Sequence, residues 1–526
     1  MACGGRRGGA CRRLGLCRLL ILMAAAWQLG LFLESLQSSR HLQPNNAAAQ
    51  QRQRGMNNVS AAVWPIVARL DAAGPGVSWT SSFPAPAPAV DWWRLLRTHV
   101  GPAFVYSAYY DPRGPGPPKV RIISALPSRY RLRPFYCDLK TDSGARFRVP
   151  GKHRPIRENW GLPYTASFIT CEMKKKHNEY PAYVSLGDPK RNITSRALTV
   201  HYPPPRSKNS TVPFLTVCVK PLHFRYDRAL WLIEFIEMYK LLGANHFVFY
   251  NKSVGDSVSR VLRHYADAKV VSLLPWNLPL RSQRHIRTEG LFAALNDCSY
   301  RSMHRFQYAA LVDLDEFLIP RKHFNLTALM AKIDPPPRTL PPRYRIKAEK
   351  KTSPSTASRS PYGAFLFRNA FFYLYWENDT KALVNDGDRP PPYLLTLSKT
   401  RRLVKIHKSG VRSKYIVRPQ DVVELGNHVV WEFAPGRSAF TVPESLALSH
   451  HYRICEFGGF ECTRQPSVKD RSAHRFAPAL LQRVRDVCTS VFPELNGQCP
   501  PAPPPRLPLV TLPPPPSPRR LSRYFS

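Results

Sequence analysis

The sequence predicts the α/β class, with a parallel sheet at its centre, for the stretch that begins near residue 211 of 526. Three observations carry that reading. Continuous apolar runs such as Phe214–Lys220 (FLTVCVK) are what a strand buried on both faces requires. These runs alternate with segments of helical period. The connections between them are short, so successive strands run parallel with right-handed helical crossovers.

Taken in order, Phe214–Lys220 is the first strand. Tyr226–Leu242 follows as a helix, with Leu230, Ile233, Glu234, Glu237 and Leu241 at helical spacing and Gly243 to end it. His246–Tyr250 is the second strand, Ser257–Ala266 the second helix and Lys269–Leu274 the third strand. Glu289–Arg301 is a third helix, and Tyr308–Val312 (YAALV) a fourth strand. Residues 334–361, rich in Pro, Lys and Ser, read as a flexible insertion within a catalytic domain over 211–490. Strand-like runs return at Ala364–Phe372, Tyr393–Leu397, Tyr415–Val417 and His428–Phe433. Ahead of the sheet, Ala103–Tyr110, Val120–Ala125 and Ser167–Cys171 predict a small β-rich lead-in domain over 100–210. Beyond it, 491–526 is a proline-rich tail expected to be disordered.

A formal charge of +42 (77 Lys+Arg against 35 Asp+Glu) first suggests nucleic acid. Three features argue against that partner. Leu19–Leu33 is an apolar run behind five arginines; extended back to Leu14 it predicts a membrane anchor over 14–33, a cytoplasmic tail over 1–13 and a stem over 34–99. The arginines set the N-terminus inside, giving a single-pass type II protein, although Ala24–Ala26 could serve a cleaved signal peptide instead. Six Asn-x-Ser/Thr sequons, at Asn58, Asn192, Asn209, Asn251, Asn325 and Asn378, fit passage through the secretory pathway. Of eleven cysteines, Cys3, Cys11 and Cys17 precede or enter the anchor, leaving an even eight beyond it. Cys455 with Cys462, and Cys488 with Cys499, are close enough for short bridges, and Cys298 could be a buried thiol instead of bridged; sequence does not choose among the pairings.

Chemistry gathers where the fourth strand ends, in Asp313-Leu314-Asp315-Glu316. Ligand sites of open α/β sheets lie at the carboxyl ends of strands. Two carboxylates there can hold a hard divalent ion that bridges to a diphosphate. The bland alternative is a strand-end turn with solvated aspartates. A second pair, Asp386-Gly387-Asp388, reads as a loop turn. On the preceding helix, small residues suit close packing on the sheet and Asn296 and Asp297 are polar near its C-terminal part. Asn251, after the second strand, stands where a nucleoside would lie, and as a sequon it competes with that role.

From Tyr106-Ser107-Ala108-Tyr109-Tyr110-Asp111 to Arg453 the chain resembles glycosyltransferase family 92. The matching text includes Cys218-Val219-Lys220-Pro221-Leu222, Glu234–Phe247, Asn296-Asp297-Cys298, Asp313–Phe317, Lys414–Pro419, Gly426-Asn427-His428 and His451-Tyr452-Arg453. The resemblance implies a Golgi type II β-1,4-galactosyltransferase of GT-A (Rossmann-like) fold. It implies UDP-galactose as donor, Mn²⁺ as cofactor, and terminal galactose or fucose of glycoprotein N-glycans as acceptor. By it, Asp313 and Asp315 are the metal and donor motif, with Lys220, Asn251, Asn296 and Asp297 on the donor side. His428 is the candidate third metal ligand, with His450 and His451 as rivals.

A β-linked product from an α-linked donor requires inversion, so one carboxylate deprotonates the acceptor hydroxyl. Glu377, Asp379 and Glu424 are the candidate bases, each with an ordinary surface or loop acid as its alternative. Trp376 fits a sugar-stacking platform at the acceptor side, or else a core tryptophan. Two other functions share much of this text: a membrane-anchored carbohydrate-binding protein without catalysis, and a family transferase with a different donor sugar. A pure binding protein has no need for two aspartates at the fourth strand end.

Overall fold

The computed structural model describes residues 91–128, 132–173, 180–188, 191–204, 211–335, 360–379, 393–455 and 460–501. The anchor, the cytoplasmic tail, most of the stem, insertion and proline tail, the Asp386/Asp388 turn, and the sequons at Asn58 and Asn209 lie outside them. Among the described residues no helix is long and apolar enough to cross a membrane.

Nine strands, β1 (Arg94–Thr98) through β9 (Leu198–His201), form one largely antiparallel sheet. Within it β2 is Gly101–Asp111 and β5 is Arg146–Pro155. Cys137 and Cys171 are bridged inside this sheet. The chain then alternates β10 (Leu215–Val219), α1 (Ala229–Leu241), β11 (Ala244–Asn251), α2 (Asp256–Asp267), β12 (Val271–Pro275), α3 (Leu291–Ser302) and β13 (Tyr308–Val312). This is the expected order. α3 starts later than the spacing predicts because Thr288, Glu289 and Gly290 all have positive φ, which no α-helix accommodates.

The chain continues through β14 (Glu316–Pro320), α4 (Leu326–Ile333), β15 (Tyr362–Phe367), β16 (Asn369–Tyr373) and the short α5 (Leu395–Ser398). Next come β17 (Arg401–Leu403), β18 (Lys414–Val417) and a hairpin of β19 (Val422–Leu425) and β20 (Val430–Phe433). β21 (Ser438–Thr441), β22 (Ala447–Arg453), β23 (Ser467–Lys469) and α6 (Ala477–Val491) complete it. The central sheet runs β12-β11-β10-β13-β18-β15-β21, with β10 to β13 parallel and β18 antiparallel to β13. A second, three-stranded sheet runs β14-β22-β16.

Two expectations are corrected here. The apolar run Ala364–Phe372 is two strands in two sheets, parted at Arg368. Tyr393–Leu397 is not a strand; Leu395–Ser398 is helical because the buried Glu234 carboxylate accepts the Leu395 and Thr396 N–H groups (2.8 and 2.7 Å) and the Thr396 hydroxyl (2.6 Å). An acceptor oxygen at the otherwise unpaired N–H groups of a helix start favours that turn.

The middle of the central sheet is covered on both faces, which is why β10 and β13 are buried along their whole length and almost entirely apolar. On one face α1, α2 and α6 pack with the small sheet. On the other lies α3, and over α3 the N-terminal sheet, through Tyr106, Tyr109, Ile123 and Phe168. A helix enclosed between two sheets keeps no solvent face. Asp297 is therefore buried, and it accepts hydrogen bonds from Ser107 and Tyr109 (2.6 Å) of β2, Tyr250 (2.6 Å) of β11 and Arg301 (3.2 Å). Cys298, left open between a bridge and a buried thiol, is bridged to Cys218 of β10, and the short bridges Cys455–Cys462 and Cys488–Cys499 are present as expected.

Asp297→Ala leaves three buried hydroxyls without their acceptor and Arg301 with Asp91 alone (2.7 Å), and is expected to cost about 3 kcal/mol in urea unfolding. Glu234 carries a pH dependence. Burial pushes its carboxyl up to about 7, against the hydrogen bonds from Thr396 and Leu395. The folded state thus holds a proton that the unfolded chain releases near its ordinary value of ~4.3. That contribution is complete below the unfolded value and lost as pH rises through about 7. Thermal melts of Glu234→Gln are expected to lose this decline between about pH 5 and 7.

Candidate active site

β10 and β13 lie side by side and end in register, Val219 opposite Val312. The next residues are Lys220 and Asp313, and the Lys220 ammonium stands 2.9 Å from Asp313 Oδ2. Here the strand order reverses, since β11 flanks β10 on one side and β13 on the other. Such switch points open a crevice at the carboxyl ends of the strands.

β18 completes the third side. Its antiparallel register, Leu311 opposite Tyr415, brings Lys414 beside the end of β13. The Lys414 ammonium, 3% exposed, reaches Asp313 Oδ2 at 3.4 Å and Glu316 Oε2 at 3.3 Å. Glu316 closes the turn by accepting the Asp313 N–H (3.0 Å). The small sheet supplies the last member: β14 and β22 pair with Glu316 opposite His451. His451 Nδ1 lies 3.1 Å from Glu316 Oε1, and Nε2 lies 3.4 Å from Asp315 Oδ2.

These contacts set the charges. Burial works against ionising Asp313, but the ammonium groups of Lys220 and Lys414 outweigh it and hold the carboxyl far below the usual range. Burial also opposes ionisation of Asp315, and His451 outweighs it. For Glu316 burial wins, helped by the two aspartates, and its carboxyl is raised. His451 Nδ1 also lies 3.2 Å from the Asn369 side-chain amide, so the ring sits between the two carboxylates with a neighbour on each nitrogen. An imidazole nitrogen and a carboxylate oxygen so placed can share a proton or hold a metal ion between them, and a carboxylate beside the far ring nitrogen is the usual support of a metal-bound imidazole. The donor chemistry fits a divalent ion, although among the described residues no group of three His, Cys, Asp or Glu side chains is gathered to hold one unaided.

The other expected site residues fall in different places. His428 has both ring nitrogens engaged, Nδ1 with Ser413 O (3.2 Å) and Nε2 with the Asn427 amide (3.0 Å). Burial and the Lys414 charge lower it to about 4. His450 is fully buried against Phe372 and Tyr452. His451, the other rival, is the imidazole brought to Asp315. Asn296 does not face a donor crevice: its buried amide exchanges two hydrogen bonds with the Leu425 backbone (2.9 Å each). Asp297 is equally enclosed, for the reason given above. Asn251 is half-buried at the end of β11.

Among the candidate bases, Glu424 is fully buried and committed to the Arg157 N–H (2.7 Å) and the Arg154 guanidinium (3.1 Å). Asp379 is held by Arg471 (2.7 Å) and Thr400 (2.8 Å). Glu377 is exposed beside the exposed Asn378. Trp376 is no open platform: it is buried with Phe371, Tyr373 and Leu403, and its indole donates to Thr463 O (3.3 Å). Of the remaining described sequons, Asn325 caps α4 by accepting the Ala328 N–H (2.9 Å). Asn192 lies in the strand Arg191–Thr194.

Sequence reasoning missed Lys414 and Glu316. Glu316 adjoins the aspartate pair and reads as part of the same turn, while Lys414 lies about a hundred residues on, with no local signal. Lys414→Met leaves Asp313 with Lys220 alone and Glu316 with His451 alone, and is expected to cost about 3 kcal/mol in denaturant unfolding.

A model of the family described as glycosyltransferase family 92 matches residues 214–490, more than half of the chain. The chain is similar to beta-1,4-galactosyltransferase galt-1 of Caenorhabditis elegans, 29% identical over 108 residues that make up 20% of this chain and 25% of that one. It is also similar to glycosyltransferase family 92 protein F13G3.3 of the same organism, 30% identical over 131 residues, 23% and 26% of the two chains. These matches span about a quarter of each relative. With the aspartate pair at the switch point of the matched region, the chain belongs to glycosyltransferase family 92.

Proposed function

We propose that this chain is a metal-dependent inverting hexosyltransferase with a catalytic domain of GT-A type. It moves galactose from UDP-galactose to a terminal galactose or fucose of glycoprotein N-glycans, forming a β-1,4 linkage. The observation that supports this most is the grouping of Asp313, Asp315, Lys220 and His451 at the carboxyl ends of β10 and β13. Strand order, charge and donor chemistry there all suit a nucleoside diphosphate. The galactose donor rests on the likeness to galt-1.

In this reading Lys220 and Lys414 keep Asp313 ionised, and Lys220, a third exposed, turns to the donor diphosphate. Glu316 fixes the His451 ring, so that Asp315 and His451 would hold Mn²⁺ together with oxygens of the donor diphosphate. The ion supplies positive charge against the departing diphosphate. The four disulfides suit an oxidising compartment, in keeping with a Golgi type II protein whose catalytic domain is luminal.

Detergent-solubilised full-length protein, given a panel of UDP-sugars with galactose-terminated and fucosylated N-glycans, is expected to release UDP from UDP-galactose with Mn²⁺ and not with EDTA. Asp315→Ala and His451→Ala are each expected to lower turnover about a hundredfold or more. Release from another donor moves the assignment to that sugar. Folded protein that binds no UDP refutes the reading of the aspartate pair.

A further inference from the structure

Segment 154–158, which leaves the N-terminal sheet at the end of β5, grips the β19–β20 hairpin. Arg154 and Arg157 both pair with Glu432, and Arg157 donates to the Trp431 carbonyl. The Arg157 N–H and the Arg154 guanidinium hold Glu424 on the opposite strand of the hairpin. Glu158 reaches furthest. Its Oε2 accepts the Asn427 backbone N–H at 2.8 Å and the Trp431 indole N–H at 3.3 Å. The fit is close enough to dictate Gly426, where a Cβ would collide with both the Glu158 carboxylate and the Trp431 ring.

The turn held in this way touches the site. Asn427 Oδ1 accepts from the Lys414 ammonium at 3.0 Å, and that ammonium is the one facing Asp313 and Glu316. Three contacts therefore join the N-terminal sheet to the aspartate pair: Glu158 to the Asn427 backbone, the Asn427 side chain to Lys414, and Lys414 to Asp313. A buried ammonium between two carboxylates has little freedom, and the remaining acceptor fixes where it stands.

We propose that Glu158 is a positioning residue of the donor site. Through the Gly426–His428 turn it seats Lys414 against Asp313 and Glu316, so the N-terminal sheet completes the catalytic site rather than merely leading into it. The proposal rests on the reading of Asp313 and Asp315 as that site.

The test uses the full-length protein with Glu158→Ala, Glu158→Gln and Gly426→Ala, and Glu172→Ala, an exposed acid of the same sheet, as control. Two quantities are read: donor kcat and KM, and the rate at which Lys414 is acylated by a small amine-directed ester, followed by mass spectrometry without donor. Glu158→Ala is expected to lower donor kcat/KM about tenfold, the loss of one hydrogen bond to a charged group, and to speed Lys414 acylation severalfold. Glu158→Gln keeps an acceptor oxygen for Asn427 and is expected to restore both. Gly426→Ala opens the same contact from the other side and is expected to reproduce Glu158→Ala. Unchanged Lys414 acylation in folded Glu158→Ala, or equal losses in the Ala and Gln variants, overturns the proposal. Acylation needs no donor, so a wild-type protein that consumed no UDP-sugar would sink the transferase reading while this measurement still decided the role of Glu158.

Discussion

Asp297 has no exposed side-chain surface and takes hydrogen bonds from hydroxyls on both sheets that enclose its helix. An ionised carboxylate is tolerated in such a place only when it is paired and its lone pairs are filled. Tyr109 and Ser107 must therefore come from β2, and Tyr250 and Arg301 from the catalytic half, at one time. The N-terminal sheet is held against α3 by that requirement as well as by apolar contact. What that sheet delivers to the site, the grip of segment 154–158 on the hairpin, depends on the same seating.

The site itself is a problem of charge compensation. Asp313, Asp315 and Glu316 crowd the end of one strand and the turn after it, and three like charges there repel. Two ammonium groups and an imidazole answer them, each from a different element: Lys220 from β10, Lys414 from β18 and His451 from β22. The arrangement is poised rather than neutral by accident. Asp313 is saturated by cations, whereas Asp315, 43% exposed, faces a single imidazole and stays open to a ligand.

Much of the fold was legible because its signals are local. A strand buried on both faces is almost entirely apolar, and β10 and β13 read so. Asp313 and Asp315 were legible for the same reason, since a polar pair directly after such a strand falls at its carboxyl end. Lys220 follows the first strand by the same logic. The donor-side reading of Asn296 and Asp297 failed because sequence alone assigns a helix a solvent face, and α3 has none. Trp376 and Glu424 failed in a similar way: each residue type suits a sugar site, and each is spent on packing or on arginines.

The sequence by itself determined the alternation of elements, the even set of eight cysteines beyond residue 100, and the aspartate pair, because each depends on neighbours within a few residues. Only the tertiary structure decided which histidine meets Asp315. His428, His450 and His451 are alike in sequence context. Cross-strand register with Glu316 turns His451 toward the pair, and one residue's difference sends His450 to the opposite face of β22. The same holds for Lys414, Cys298 and Glu158. Their partners lie about a hundred residues away or more in two cases and 80 in the third, and such pairings are set by strand order and packing rather than by any local preference.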